Sequence, residues 1–285
     1  MKFSIGLAWG TTFTDGNLLE GENVREVCVA CEEHGFDAIY ATDHPAPPPE
    51  WRKEGGHETL DPLIALSYAG GTTQKILLHT HLLIPAYRNQ ILLLKAIETF
   101  ASLLPNRLRL GLGAGYLEKE FQSIGVSYKD RNNILDEFIV GLRSVSNLSS
   151  IPIWVGGNSD KAIARAVKYG DGWSPMGTAN RTAKYLKTPG IESLNELGLR
   201  IETMKKLCQQ VGRSDIPEIC YTPAWAMLGN DKYPEPEVVN QSVRQLADLG
   251  VSWVAISLPG STMSELMGNI KRFGDEIIGK QLSRH

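Results

Sequence analysis

The sequence predicts a single-domain α/β barrel of eight parallel strands, a (β/α)8 fold, spanning residues 1–285. Three observations predict it. Short apolar runs of strand length alternate eight times with helical segments, the pattern of parallel strands joined by helical crossovers. No composition break marks a linker, and 285 residues suit one closed barrel. The alternative open, doubly wound sheet is disfavoured because the first strand lacks a dinucleotide fingerprint.

The first strand is expected over residues 3–7, with a polar loop over 10–22. Asn23, with Glu26 three positions on, reads as a capped helix start, and Gly35 as its stop. The second strand, 38–41, ends at Thr42-Asp43-His44. Residues 45–61 are too rich in proline and glycine for a helix or sheet interior, and long ordered loops are usually functional. Asp61 caps a helix opened by Pro62. A third strand covers 76–84, and Leu93, Ile97, Phe100 and Leu104 mark a helix over 89–104.

In the fourth strand Leu108, Leu110 and Leu112 alternate with Arg109 and Gly111. Gly113 and Gly115 then take over in a tight turn, and a helix begins near Tyr116. A helix over 130–145 carries Ile134, Phe138 and Leu142 on one face. The fifth strand, 151–155, runs into Gly156-Gly157, and Ser159 opens a helix closed by Gly170. The sixth strand is 173–176, followed by a loop and a long helix ending near Val211. The seventh strand is 218–228, and a helix over 236–249 stops at Gly250. The eighth strand is 252–258. Thr262 and Glu265 then form a capping box for a last helix with Leu266, Ile270, Phe273 and Ile277 inward.

A formal net charge of −3 gives no electrostatic reason to expect nucleic acid or an anionic membrane as partner. No apolar run is long enough to span a bilayer, and the N-terminus reads as a strand instead of a signal peptide. Cys28 and Cys31 form a C-x-x-C on one face of a helix, with no second pair to complete a metal site. They read, with Cys208 and Cys220, as buried thiols of a reducing, cytoplasmic protein. There is no nucleophile elbow, H-E-x-x-H or P-loop.

Barrels of this kind carry their active sites at the C-terminal ends of the strands. That rule gathers Asp43 and His44, then Thr80 and His81, then Gly113, Ala114, Gly115 and Tyr116, then Gly156 and Gly157, and finally Trp173. Glycine turns after two neighbouring strands let backbone approach an elongated, phosphate-bearing ligand. His44 is the expected acid or base, with Asp43 orienting its ring; the ordinary histidine pKa lies near neutrality. Trp51, Tyr116 and Trp173 are the expected substrate contacts, Trp51 and Tyr116 by stacking. Loops 45–60 and 177–189 are expected to line the substrate pocket. His79 and His81 share one face of a strand. They are the only suggestion of a metal, so no metal site is assigned and a barrel metallohydrolase stands as an alternative class.

Four stretches carry a family resemblance: EHGFDAIYATDHPAPPPEW, LDPLIALSYAGGTTQKILLHTHLLIPAYRN, NRLRLGLGAGYLEKEFQSIGV and IPIWVGGNSDKAIARAVKYGDGW. Together they resemble the luciferase-like monooxygenase superfamily, and within it the oxidoreductases dependent on coenzyme F420. The resemblance covers residues 3–176; beyond 177 only the barrel rhythm matches. It implies a luciferase-like (β/α)8 TIM barrel with a flavin-type ring at the C-terminal mouth, F420 or alternatively FMN. It implies ring contacts from Asp43, His44, Thr80 and His81, with a strand-three bulge that in relatives often holds a non-prolyl cis peptide. It implies phosphate contacts from Gly113, Ala114, Gly115, Val155, Gly156 and Gly157, and a homodimer, for which the apolar helix over 89–104 offers a face. The expected activity is hydride transfer between F420 and an organic small molecule. The alternatives are FMN-dependent monooxygenation and a cofactor-free barrel with a binding role.

Three departures stand out. Leu104-Pro105-Asn106 replaces the serine-glycine or glycine-glycine that relatives carry before the strand-four arginine. The connection 146–150 is shorter than in relatives and lies at the barrel bottom. Tyr116 stands where sugar-phosphate dehydrogenases of the family place a glutamate, which speaks against that substrate.

Overall fold

The computed structural model describes residues 1–7, 12–13, 16–53, 56–57, 59–178, 187–226 and 232–282. Eight parallel strands close into a barrel. They are β1 Lys2–Gly6, β2 Ala38–Ala41, β3 Leu77–Leu83, β4 Leu108–Leu112, β5 Ile153–Gly156, β6 Gly172–Ser174, β7 Glu218–Tyr221 and β8 Trp253–Ser257. Each neighbour pair is in sequence order, and β8 pairs with β1 to shut the ring. The crossover helices are α1 Gly21–Glu33, α2 Pro62–Thr72, α3 Gln90–Leu103, α4 Arg131–Ser144, α5 Asp160–Tyr169, α6 Leu194–Gln210, α7 Pro236–Asp248 and α8 Met263–Phe273.

Strand alternation divides the core in two. Residues of one parity, such as Ile5, Ile39, Leu110, Val155 and Val254, face the helix ring and build the main apolar cluster. The other parity fills the barrel interior with Tyr40, Trp154, Cys220 and Trp253. Large interior side chains lie over glycines of other strands. A Cβ on Gly6 would collide with the Tyr40 ring, and one on Gly172 with Trp154. His79 and His81 share this interior, packing against Trp154 and Tyr40 respectively.

The helix starts expected at Asp61, Ser159 and Thr262 hold, and Asn89, expected as the first residue of its helix, is its cap; each accepts from backbone N–H groups of its helix's first turn. The start of α1 differs. Glu20 precedes the helix without a side-chain cap, and the Asn23 amide donates to Asn17 O at 2.8 Å instead. Within the expected polar loop, Thr12–Phe13 pairs with Gly16–Asn17; residues 10–11 and 14–15 lie outside the described residues. The proline-rich stretch contains one helical turn, Pro49–Lys53, allowed because its proline sits at the first position. β7 ends at Tyr221 before a turn at Ala224–Ala226, and the end expected over 227–228 lies outside the described residues.

The departure before the strand-four arginine has a backbone explanation. Asn106 takes φ +63°, a left-handed conformation that asparagine tolerates best after glycine. The next side chain, Arg107, donates to the carbonyls of Gly70, Thr73 and Ile76 and fastens the end of α2 to β3.

Candidate active site

The C-terminal strand ends frame a cavity of about 530 Å³, a size typical of ligand sites. Its floor is His81 and Leu82, where the register of β3 against β4 shifts and the His81–Leu82 peptide bond is cis. The bulge and cis bond expected in strand three are therefore present.

His44 stands on one wall with a tenth of its side chain exposed. Its Nδ1 lies 3.2 Å from Oε2 of Glu120, and its Nε2 lies 3.5 Å from the Tyr116 hydroxyl. Glu120 is fully buried on the short helix Glu118–Ser123. The same Oε2 accepts from the Tyr87 hydroxyl at 2.8 Å, and Oε1 accepts from Ala46 N at 3.3 Å. Burial and the Glu120 carboxylate push the Tyr87 phenol well up, so it stays a donor. The Nδ1–H tautomer of His44 makes a third donor to Glu120 beside Tyr87 and Ala46 N, and it leaves Nε2 toward Tyr116 and the cavity. Trp51, buried, packs against His44 at 4.5 Å between ring centroids, and His57 meets the same imidazole edge-on.

The other cavity histidines are held neutral. Burial, with His44 nearby, pushes His57 down to about 3, and its Nε2 pairs with Thr42 Oγ1 at 2.9 Å. Burial pushes His81 down to about 4, with Thr222 Oγ1 3.0 Å from its Nε2. Neither supplies a proton at neutral pH.

Asp43 does not orient His44, contrary to expectation. Consecutive side chains of an extended segment diverge, and Asp43 turns to Arg88, which donates to Oδ2 at 2.6 Å and Oδ1 at 2.9 Å. Ile84 N also donates to Oδ2, and Arg88 bridges on to Asp61 at 2.7 Å. Burial pushes the Asp43 carboxyl up and Arg88 opposes it. The group thus holds the backbone leaving β3 against the mouth of β2, and Glu120 takes the orienting role.

The two glycine turns follow the neighbouring strands β4 and β5, and both line the cavity. Gly115 and Gly157 take φ +79° and +116°, and a Cβ on Gly156 would fall onto Leu82. Backbone therefore lies bare to the cavity. Beyond Gly157 lie the N-terminus of α5 and three basic side chains, Lys161, Arg131 stacked on Tyr128, and Lys187 paired with Glu118 at 2.9 Å. Asn158, almost fully buried, ties this wall together by bonding Met176 O, Pro189 O and Met176 N.

Of the expected site residues, Asp43, His44, Trp51, His81, Gly113, Ala114, Gly115, Tyr116, Gly156 and Gly157 line one cavity. Thr80, Val155 and Trp173 do not, because their strand parity turns them to the helix side. Thr80 Oγ1 donates to Gly111 O at 2.8 Å, and Val155 packs in the outer core. The Trp173 indole, fully buried, donates to Gly157 O at 2.8 Å and braces the second glycine turn from behind. Of the loop expected at 177–189, Lys187 and Thr188 reach the cavity; residues 179–186 lie outside the described residues. Glu120, Arg88 and Asn158 were not singled out by sequence reasoning. No local signal marks them, since each acts on a partner distant in the chain.

The family model for luciferase-like monooxygenases matches residues 1–147. An F420-dependent glucose-6-phosphate dehydrogenase of Nakamurella multipartita is 28% identical over 176 residues, 53% of this chain and 50% of that one. An F420-dependent hydroxymycolic acid dehydrogenase of Mycobacterium tuberculosis is 29% identical over 182 residues, 55% of this chain and 49% of that one. The chain thus matches about half the length of these curated relatives. Among solved structures, a monooxygenase from Streptomyces bottropensis superposes with a TM-score of 0.76 at 14% identity, covering 99% of this chain and 100% of that one. An F420-dependent secondary alcohol dehydrogenase superposes with a TM-score of 0.69 at 16% identity, covering 98% and 99%. At these identities the superpositions establish the fold.

Proposed function

The chain belongs to the luciferase-like monooxygenase family, and from that premise we propose that it is an oxidoreductase moving a hydride between coenzyme F420 and a small organic substrate. One observation carries the reading. A single cavity brings together an imidazole, held by a buried carboxylate, and two glycine turns with basic side chains at the rim. The F420 dependence of the two curated dehydrogenases supports the choice of cofactor.

The residues fit such a group. Positive φ at Gly115 and Gly157 and the crowding at Gly156 keep side chains out of the wall where a flat, phosphate-bearing molecule has to pass. Arg131, Lys161 and Lys187 are the residues to hold its anionic part. Bound there, a deazaflavin supplies a ring carbon that gives or takes a hydride and reacts poorly with oxygen. The chain's own part is proton handling and shielding. Glu120 keeps the proton on Nδ1 of His44, so Nε2 takes a proton from a substrate hydroxyl as the hydride leaves, or returns it in reverse. Tyr116 steers the substrate oxygen toward Nε2, and Trp51 covers the imidazole from solvent.

The remaining assignments are also proposals. The α3 residues Ile91, Leu92 and Leu103 and the α2 residue Ile64 are each at least 70% exposed on adjoining helices, which supports a homodimer through this face. Four buried, unpaired cysteines support a reducing, cytoplasmic setting. Among the described residues no helix is long and apolar enough to cross a membrane.

The test is a pair of equilibrium titrations followed by ligand absorbance, one with F420 and one with FMN. Saturable F420 binding at one per chain, with FMN at least tenfold weaker, is the expected result. FMN binding alone moves the chain to flavin-dependent monooxygenation, and binding of neither leaves a cofactor-free barrel.

A further inference from the structure

At the cavity floor and just beneath it, the barrel axis holds three potential metal donors. His79 and His81 point inward from β3, and Cys220 points inward from β7, the strand diametrically opposite. One donor atom of each lies within 4.8 Å of the others. We propose that these three side chains form a binding site for a borderline-soft divalent cation of the zinc type, with its fourth position open toward the cavity.

Four features of the interior carry this. The Nε2 of His79 is fully buried without a hydrogen-bond partner, as are the N–H donors Trp154 Nε1 and Arg109 Nε beside it, whereas Tyr40 and Ser257 pair with each other. Buried polar groups are normally satisfied, and a nitrogen left bare is suited to a ligand. The other nitrogen, Nδ1, lies 3.2 Å from Ser4 Oγ, an outer partner of the kind that orients metal-binding imidazoles. His81 sits between the hydroxyls of Thr222 and Ser174, so one nitrogen can turn to a cation while the other keeps a hydroxyl. Space at the axis comes from glycine: Gly111 faces His79, and a Cβ there would crowd its Nε2.

The donor chemistry selects the ion. Two imidazoles and one thiol suit zinc or cobalt and are poor ligands for magnesium or calcium, which take oxygen. A tetrahedral zinc centre wants its donors about 3.5 Å apart, so small side-chain rotations close the site. Arg109 lies beside His79 in the β4 register, and a thiolate from Cys220 offsets the positive charge brought next to it. His81 and Thr222 also line the cavity, which gives the ion its entry path and leaves the fourth position to water. The site involves no residue of the His44–Glu120 pair and does not depend on the proposed cofactor.

The experiment uses cobalt(II) as the probe on the full, metal-free chain, read by absorbance, with zinc as competitor. One cobalt per chain is expected, with a sulfur-to-cobalt charge-transfer band in the near ultraviolet that zinc abolishes. Cys220→Ser removes the band, and Ser4→Ala weakens binding by about 10–100-fold, the usual effect of losing an outer partner. Should Cys220→Ser fail to fold, X-ray absorption on cobalt-loaded wild type counts the ligands: two nitrogens and one sulfur from protein are expected. Absence of the charge-transfer band, a band that persists in folded Cys220→Ser, or a coordination sphere without exactly one sulfur overturns the proposal.

Discussion

Glu120→Gln tests the proposed proton path at its least obvious member. In the parent, Glu120 is buried and accepts three hydrogen bonds, two at Oε2 from Tyr87 and His44 and one at Oε1 from Ala46 N. Glutamine keeps the shape but offers one acceptor and one donor group. If its oxygen stays with Tyr87 and His44, its NH2 opposes the Ala46 N–H. If it turns over, its NH2 faces Nδ1 of His44, which must then accept, and the imidazole proton moves to Nε2 on the cavity side. Either arrangement removes the charge behind the imidazole. A charge-assisted hydrogen bond contributes about 1.5–3 kcal/mol. At about 1.36 kcal/mol per decade, losing it as His44 takes up a proton slows hydride transfer about 10- to 150-fold. The assay is single-turnover absorbance change of saturating cofactor across a pH series, with melting temperature as the control on folding. The rate is expected to fall and the pH–rate profile to change shape, while cofactor affinity stays within about twofold. A folded Glu120→Gln variant with the parent's rate and profile refutes the relay.

His44→Ala removes the acid–base group itself, and turnover is expected to fall about 10²–10⁴-fold under saturating cofactor; a near-parent rate would send the proton elsewhere, with Tyr116 next in line. Gly157→Val forces a β-branched residue into φ +116° beside the proposed phosphate path. It should cost more than about 1.4 kcal/mol, a tenfold loss of cofactor affinity, and an unchanged titration of the folded variant would displace the cradle from this turn. Glu32 offers a stability test remote from the site. Burial works against its carboxylate, but the N–H groups of Gln74, Lys75 and Ile76, with Arg107 nearby, hold it below its ordinary value of 4.5. A depressed folded-state pKa stabilises the fold above 4.5, and that contribution is lost as pH falls through the folded value. Glu32→Gln should therefore destabilise by about 1 kcal/mol at pH 7, discounted for exposure, and the gap in denaturation midpoints should shrink in acid; a gap that is constant with pH rules the carboxylate out.

The order of strands and helices was legible because each βα unit carries its own local signals. Asp61, Asn89, Ser159 and Thr262 announce helix starts through side chains that act within a single turn. The start of α1 misled because the helix begins at Gly21, which puts Asn23 inside its first turn, where the amide donates to Asn17 O instead of capping. The site was half legible. Position at a strand end is written in the chain, so His44, Tyr116 and the glycine turns could be found. Inward or outward direction is also written there, as strand parity, and applying it to Thr80, Val155 and Trp173 beside His79 and His81 would have removed all three. What no local pattern reveals is pairing across the fold. Glu120 reaches His44 from a helix two barrel strands further on, and Arg88 takes Asp43 from the segment after β3. Both arise from closure of the barrel. Adjacency in sequence suggested Asp43 as the partner of His44, and closure gave that place to Glu120.

The most direct test of the account is a crystal structure of the chain with F420 bound. The ring is expected over His81 and Leu82 with its reactive face toward His44, and the anionic tail is expected to run past Gly115 and Gly157 to Lys161. A cofactor bound outside this cavity, or one lying in it with its tail toward Trp51 and its ring away from His44, would contradict it.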